Sequence, residues 1–177
     1  MPKQADFELS VMPQVAGLVR VARRLTLDRA LADDLVQETL MLAWRGFDRF
    51  EPGSNLRAWL FRILMNAHHG NGRKIQRSPA TVPMLDGDAD WETSQSSASV
   101  MAAVDVRQAL DRLSVEHRAV LMLGVVEGLS CREMADVLEL PIGTVMSRMS
   151  RARQAMRDQL GVKQQRRDGE PCRAEAL

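Results

Sequence analysis

The chain has 177 residues, 45% hydrophobic and 27% charged, with a formal net charge of +1. That composition supports one folded domain or two small ones, and it excludes a chain too polar to build a core. No apolar run approaches the roughly 20 residues of a membrane span, and MPKQADFELS lacks a basic start followed by an apolar stretch, so the sequence predicts a cytoplasmic protein without a span or export signal.

The first 77 residues read as four helices, three of which have clear limits. Glu8 to Leu25 carries Leu9, Met12, Val15, Val19 and Ala22. Arg29 to Phe47 carries Ala32, Leu35, Val36, Leu40, Ala43 and Trp44 on one stripe. Its other face offers Asp33, Asp34, Gln37 and Glu38, an acidic cluster assigned to the start of the helix, where the macrodipole favours negative charge. Glu51 to Ser54 reads as a turn. Asn55 to His69 follows as a helix with Leu56, Trp59, Leu60, Ile63 and Leu64 inward or partly so and Arg57, Arg62 and Asn66 available outside. Only seven aromatic side chains occur in the sequence, and five of them (Trp44, Phe47, Phe50, Trp59, Phe61) fall in one window beside arginines. Basic groups for phosphate interleaved with flat faces for unstacked bases suit single-stranded nucleic acid, and Trp59 and Phe61 are the candidates for that use.

Residues 78–99, SPATVPMLDGDADWETSQSSAS, break the pattern with proline, serine, glycine and aspartate and no sustained periodicity, the signature of a flexible linker. Charge changes there as well. Residues 1–77 hold twelve basic and eight acidic side chains, whereas residues 78–104 hold four acidic and no basic ones. The chain therefore divides into 1–77, an acidic linker 78–99, a second helical part 100–162 and a disordered tail 163–177. With no period-two alternation and no hairpin signal, the predicted fold is all-α: two small helical domains joined by a flexible linker.

The second part ends in the most informative stretch, LSCREMADVLELPIGTVMSRMSRAR, from Leu129 to Arg153. Ser130 caps a short helix, and Glu133 stands three residues later, where a capping-box carboxylate reaches back to the cap. Met134, Ala135 and Leu138 share one face. Glu139, Leu140 and Pro141 stop that helix, because proline lacks an N–H and restricts the residue before it. A second helix begins near Ile142 or Gly143 with an apolar stripe of Val145, Met149, Ala152, Met156 and Leu160. Thr144, Ser147, Arg148 and Arg151 fall opposite. No acidic residue occurs from Ile142 to Arg157 to pair those arginines along the helix. A helix-turn-helix offering hydroxyls and guanidinium groups suits the DNA major groove.

Both halves together carry a family resemblance. DDLVQETLMLAWRGFDRFEPGSNLRAWLFRILMNAHHGNGRK (33–74) and ALDRLSVEHRAVLMLGVVEGLSCREMADVLELPIGTVMSRMSRARQAMRDQL (109–160) closely resemble the extracytoplasmic-function sigma factors, small bacterial initiation subunits of RNA polymerase in the sigma-70 family. The resemblance implies that Asp33, Asp34, Gln37 and Glu38 bind the polymerase core. It implies that Phe50, Asn55, Arg57, Trp59, Arg62 and Asn66 recognise and melt the minus-10 element, with Phe50 and the loop to Asn55 shaping a pocket for a flipped base. It places Thr144, Ser147, Arg148, Arg151 and Arg153 on the minus-35 element. Relatives often have a basic residue where this chain has Met146, so one phosphate or guanine contact is missing from that pattern. Promoter DNA, the polymerase core and an anti-sigma factor are the implied partners.

No catalytic constellation, cofactor motif or metal set accompanies these residues. There is no P-loop, G-x-S-x-G or H-E-x-x-H. Adjacent His68 and His69 diverge on a helix, and two distant cysteines, Cys131 and Cys172, read as free thiols. The other function class to weigh is a stand-alone helix-turn-helix regulator, which would put a domain of alternating strands and helices first; the N-terminal half has no strand pattern.

Overall fold

A computed structural model describes residues 2–51, 53–75 and 97–161 of the chain. All regular structure among them is helical: α1 (Pro2–Thr26), α2 (Arg29–Gly46), α3 (Leu56–Ile75), α4 (Ser97–Asp111), α5 (Val115–Leu121), α6 (Cys131–Leu138) and α7 (Ile142–Gln159). Among the described residues the N-terminal half has three α-helices rather than four, with a single 3-10 turn, Phe47–Arg49, after α2, and a π-helical turn, Met122–Val126, extends α5. Of the expected linker only the last three residues are described, and they already belong to α4. Trp91 and the tail lie outside the described residues.

Local chemistry sets the limits of these helices. Leu27 adopts a left-handed conformation (φ 58°) just past α1. Asp28 then caps α2, its carboxylate accepting from the Leu31 N–H at 2.8 Å. The acidic cluster is thus not at the helix start: α2 has no acidic residue in its first turn. Asp33 and Asp34 stand a full turn further in, where the macrodipole has faded, and Asp28 takes the role assigned to them. Asn55 caps α3, accepting from the Ala58 N–H at 3.1 Å.

Packing turns one of the expected stripes and widens another. On α1 the buried residues are Val11, Leu18, Val21, Ala22 and Leu25, while Leu9 and Met12 are 78% and 63% exposed. On α3 the core takes Leu60, Phe61, Leu64 and Met65, leaving Trp59 and Ile63 only partly buried. The reason is that α3 is covered from two directions, by α1 and α2 and by α6. On α2 the expected stripe holds for Ala32, Leu35, Val36 and Ala43, with buried Thr39 donating its hydroxyl to the Leu35 carbonyl at 2.7 Å.

The two halves pack directly on each other. One buried apolar cluster runs from Val11 through Leu64 to Val120, Met134, Val145 and Ala152. Across the seam, α3 lies on α6 and α1 lies on α5.

Candidate nucleic-acid interface

The helix-turn-helix is built as its residue order predicts. The Ser130 hydroxyl accepts from the Glu133 N–H at 3.2 Å, and the Glu133 carboxylate accepts from the Ser130 N–H at 2.7 Å. This reciprocal capping box satisfies two donors that the first turn would otherwise leave open. Glu139, left-handed at φ 53°, closes α6. Pro141 starts α7, its carbonyl accepting from the Thr144 N–H at 2.8 Å. Val145, Met149 and Ala152 are buried, while Met156 and Leu160 are partly so. Val137 joins Met134 in the core, and Ala135 and Leu138 are half-buried.

Away from that stripe, Ser147 and Arg151 are exposed, and Thr144, Arg148 and Arg153 are half-buried. The Ser147 hydroxyl donates to the Thr144 carbonyl at 2.9 Å. Arg148 has an acidic neighbour that its own helix lacks, Glu116 of α5. The Glu116 carboxyl is held below the usual range by its own backbone N–H, then by Ser114 and Arg148, against the opposing effect of burial. Met146, at 49% exposure, sits on the same outer face.

On the N-terminal half, Asp33, Asp34 and Gln37 are exposed on α2 and Glu38 is half-buried. Four aromatic residues of the window, Trp44, Phe47, Phe50 and Trp59, form one chain of ring contacts with Phe7. Phe7, which carries no signal of its own in the sequence, meets both Trp44 and Phe47 edge-on with centroids 5.1 Å apart. Phe47 stacks on Phe50 at 6.1 Å, and Phe50 tilts against Trp59 at 5.1 Å. Phe61 is 1% exposed and belongs to the core, so it offers no face to a base. Phe50 and Trp59 remain half-buried at the surface end of this chain of rings.

The basic face of α3 is occupied by carboxylates from the other half. Arg57 donates to Glu127, Asn55 donates its side-chain amide to Glu133, and Arg62 pairs with Glu139 at 3.1 Å. Arg20 of α1 also reaches Glu127, at 3.1 Å. Asn66 is exposed. In the sequence Glu133 and Glu139 stand out only as helix signals, and Glu127 and Arg20 not at all. Partners separated by 70 residues or more along the chain leave no local pattern. Glu133 is lowered on balance: burial raises its pKa, but hydrogen bonds from Ser130 and Asn55 and the charge of Arg57 outweigh it. At the other end of the seam, Arg24 pairs with Asp111 at 3.2 Å.

Cys131, buried at the first position of α6, is disulfide-bonded rather than a free thiol. Spacing along the chain does not report distance in space, which is why sequence misjudges it. The other cysteine, Cys172, lies outside the described residues. The rings of His68 and His69 are 6.1 Å apart and tilted by 44°. Among the described residues no group of three potential ligands is placed to hold a metal, and no helix is long and apolar enough to cross a membrane.

Comparison with known proteins accounts for both helical parts. Residues 14–77 match the family model of Sigma-70 region 2, and residues 103–156 that of Sigma-70, region 4. The chain is 35% identical over 157 residues to the ECF RNA polymerase sigma factor EcfG of Rhodopseudomonas palustris, covering 86% of this chain and 84% of that protein. It is 38% identical over 154 residues to the ECF RNA polymerase sigma factor SigL of Mycobacterium tuberculosis, covering 83% and 86%. Among solved structures it resembles the sigma factor RpoE in complex with the anti-sigma factor NepR from Bartonella quintana, with a TM-score of 0.71 and 34% identity over 90% of this chain and 99% of that one. CnrH in complex with the cytosolic domain of CnrY is similar at a TM-score of 0.64 and 28% identity, covering 91% of each chain. With a region 2 and a region 4 in one helical chain, and relatives matched over most of their length, this protein belongs to the extracytoplasmic-function sigma factors of the sigma-70 family, non-enzymatic subunits that direct RNA polymerase to promoters.

Proposed function

We propose that this sigma factor divides promoter recognition between two faces and meets the polymerase core through a third. The outer face of α7, with Thr144, Ser147, Arg148, Arg151 and Arg153, reads the minus-35 element in the major groove. The α3 face, with Asn55, Arg57, Arg62 and Asn66 beside Phe50 and Trp59, holds and melts the minus-10 element. Asp33, Asp34, Gln37 and Glu38 of α2 bind the core. On this reading residues 1–77 and 100–162 are the working modules, 78–99 is an acidic tether and 163–177 a tail, all in the cytoplasm.

The observation that carries the reading is the orientation of α7. Its apolar stripe is buried beneath a capped α6, so the residues opposite must face outward. An outward arginine and serine pair on the second helix of a helix-turn-helix has the donor chemistry for guanine edges and phosphates. The relatives solved with NepR and CnrY support control of this chain by an anti-sigma factor as well.

In vitro transcription tests the whole assignment. Core polymerase supplied with this protein should yield promoter-dependent transcripts, and neither alone should. Binding of an operator by the protein alone, with no transcript from the mixture, would overturn it.

A further inference from the structure

The outer face of α7 is not uniformly polar. Ile142, the first residue of the helix, and Met146, one turn further on, are each 49% exposed. Neither belongs to the buried cluster, nor to the half-buried residues packed on it, as Ala155 and Met156 of the same helix do. Val145, Met149 and Ala152, all buried, already anchor the helix on the core. A single exposed apolar side chain is ordinary. Two of them four residues apart form a short row along one side of a helix. This row borders a surface of Gly143, Ser147, Ser150 and Arg151, all exposed.

The surroundings of the pair define what can cover it. Hydroxyls and guanidinium groups flank it, and no acidic residue occurs from Ile142 to Arg157. The occupant must therefore be rich in acceptors and carry an apolar group among them. The major groove of DNA has that composition: base pairs present hydrogen-bond donors and acceptors there and one alkyl group, the C5 methyl of thymine. Position agrees as well, because the N-terminal residues of the second helix of a helix-turn-helix are the ones that reach base edges. That first turn can come close. Gly143 offers no side chain, and a Cβ there would meet no atom within 4 Å, so packing does not demand a glycine at that place. Met146 is unbranched and adapts its reach to the position of the methyl.

We infer that Ile142 and Met146 are specificity-determining residues: together they seat the C5 methyl of a thymine in the minus-35 element and so select that base pair. This rests on the assignment of the outer face of α7 to that element. The hydroxyls and guanidinium groups of the face take acceptors, and the apolar pair adds a discrimination that hydrogen bonds do not supply. Burial of one methyl group favours the thymine-bearing promoter about fourfold over the same promoter without the methyl.

Deoxyuridine substitution provides the test, since it removes the methyl and keeps every hydrogen-bonding group of thymine. Holoenzyme assembled from core polymerase and the full chain first selects active promoters from a template library with a randomised minus-35 region. Each thymine of the selected region, on either strand, is then replaced in turn by deoxyuridine. Single-round transcript yield at subsaturating holoenzyme should fall about fourfold at one or two thymines. In Ile142→Ala and Met146→Ala the thymine template should lose about as much, and deoxyuridine at the same position should then have little further effect. Circular dichroism checks that α7 is intact in both. A selected region without thymine, or no position sensitive to deoxyuridine, would overturn the methyl contact. Yields that change equally on the two templates in the variants would overturn it as well, and would put a protein surface on the pair instead. The assignment of α7 fails separately: full initiation on the selected promoter by both Arg148→Ala and Arg151→Ala removes it, whereas weak initiation by those two with indifference to the methyl removes only the role of Ile142 and Met146.

Discussion

Arg118 is the residue on which the seam between the halves turns. It is 3% exposed and donates to four main-chain carbonyls: Leu110 at 3.1 Å, Asp111 at 3.0 Å, Leu113 at 2.8 Å and, from the other half, Arg24 at 2.6 Å. Arg24 lies in the last turn of α1, where carbonyls have no partner within the helix. Burial lowers the pKa of Arg118, opposed by Asp111. Replacement by methionine keeps the volume but leaves those carbonyls dry, and should cost about 3 kcal/mol or more in urea denaturation. His68 adds a pH dependence. Burial, then His69 and Arg118, hold its pKa below the ordinary histidine value. The folded chain therefore binds fewer protons than the unfolded one just below pH ~6.5. Stability should be level above that pH and fall as the pH drops through the lowered value. His68→Gln should flatten that slope in thermal unfolding followed across pH, and an unaltered slope would assign it to another group.

At the scale of elements, the helix-turn-helix depends on its caps. Ser130→Ala removes the acceptor for the Glu133 N–H and frees Glu133 from its place in the box, which should cost about 1 kcal/mol and show as a lower melting temperature. Glu139→Gly should be mild or stabilising, because Glu139 holds a left-handed conformation that glycine adopts without strain. On α7, Arg151→Ala should leave stability alone, since Arg151 is exposed and the buried stripe is untouched. It should weaken initiation at promoters that need the minus-35 element by about 1–3 kcal/mol if the guanidinium bonds a base edge there. Full activity of that variant at such promoters would mean that another face of the helix meets DNA.

For the molecule as a whole, the acidic face of α2 is separate from the seam and stays open while the halves are packed. Asp33 and Asp34 are exposed there, whereas α1 and α3 cover the opposite side of the helix. Asp34→Arg should therefore weaken assembly with core polymerase, measured by co-elution or by competition with another sigma factor, with an unchanged circular dichroism spectrum and melting temperature. Normal assembly of that variant would remove α2 as the core-binding face. On the proposed assignment, closure of the halves and access to core are separable, because different helices would present them.

What could be read from the sequence is whatever neighbouring residues encode. The all-helical class, the start and end of α6, the buried stripe of α7 and the arginines opposite it follow from period, caps and proline, which act over a few residues. Most of the α2 stripe was equally legible, because α2 is buried on one side, but Trp44, expected on it, is 39% exposed. Helix α1 was rotated from expectation, and α3 is buried over a wider arc that takes in Phe61 and Met65, because more than one neighbour covers it and period alone does not say how many. The aromatic window was visible, but Phe7 closing it from α1 was not. Only the tertiary structure seated Glu127 between Arg20 and Arg57 and ran Arg118 to the end of α1. Those bonds join residues 70 or more apart in the chain, and the cost of burying such charges is recovered only once the halves meet.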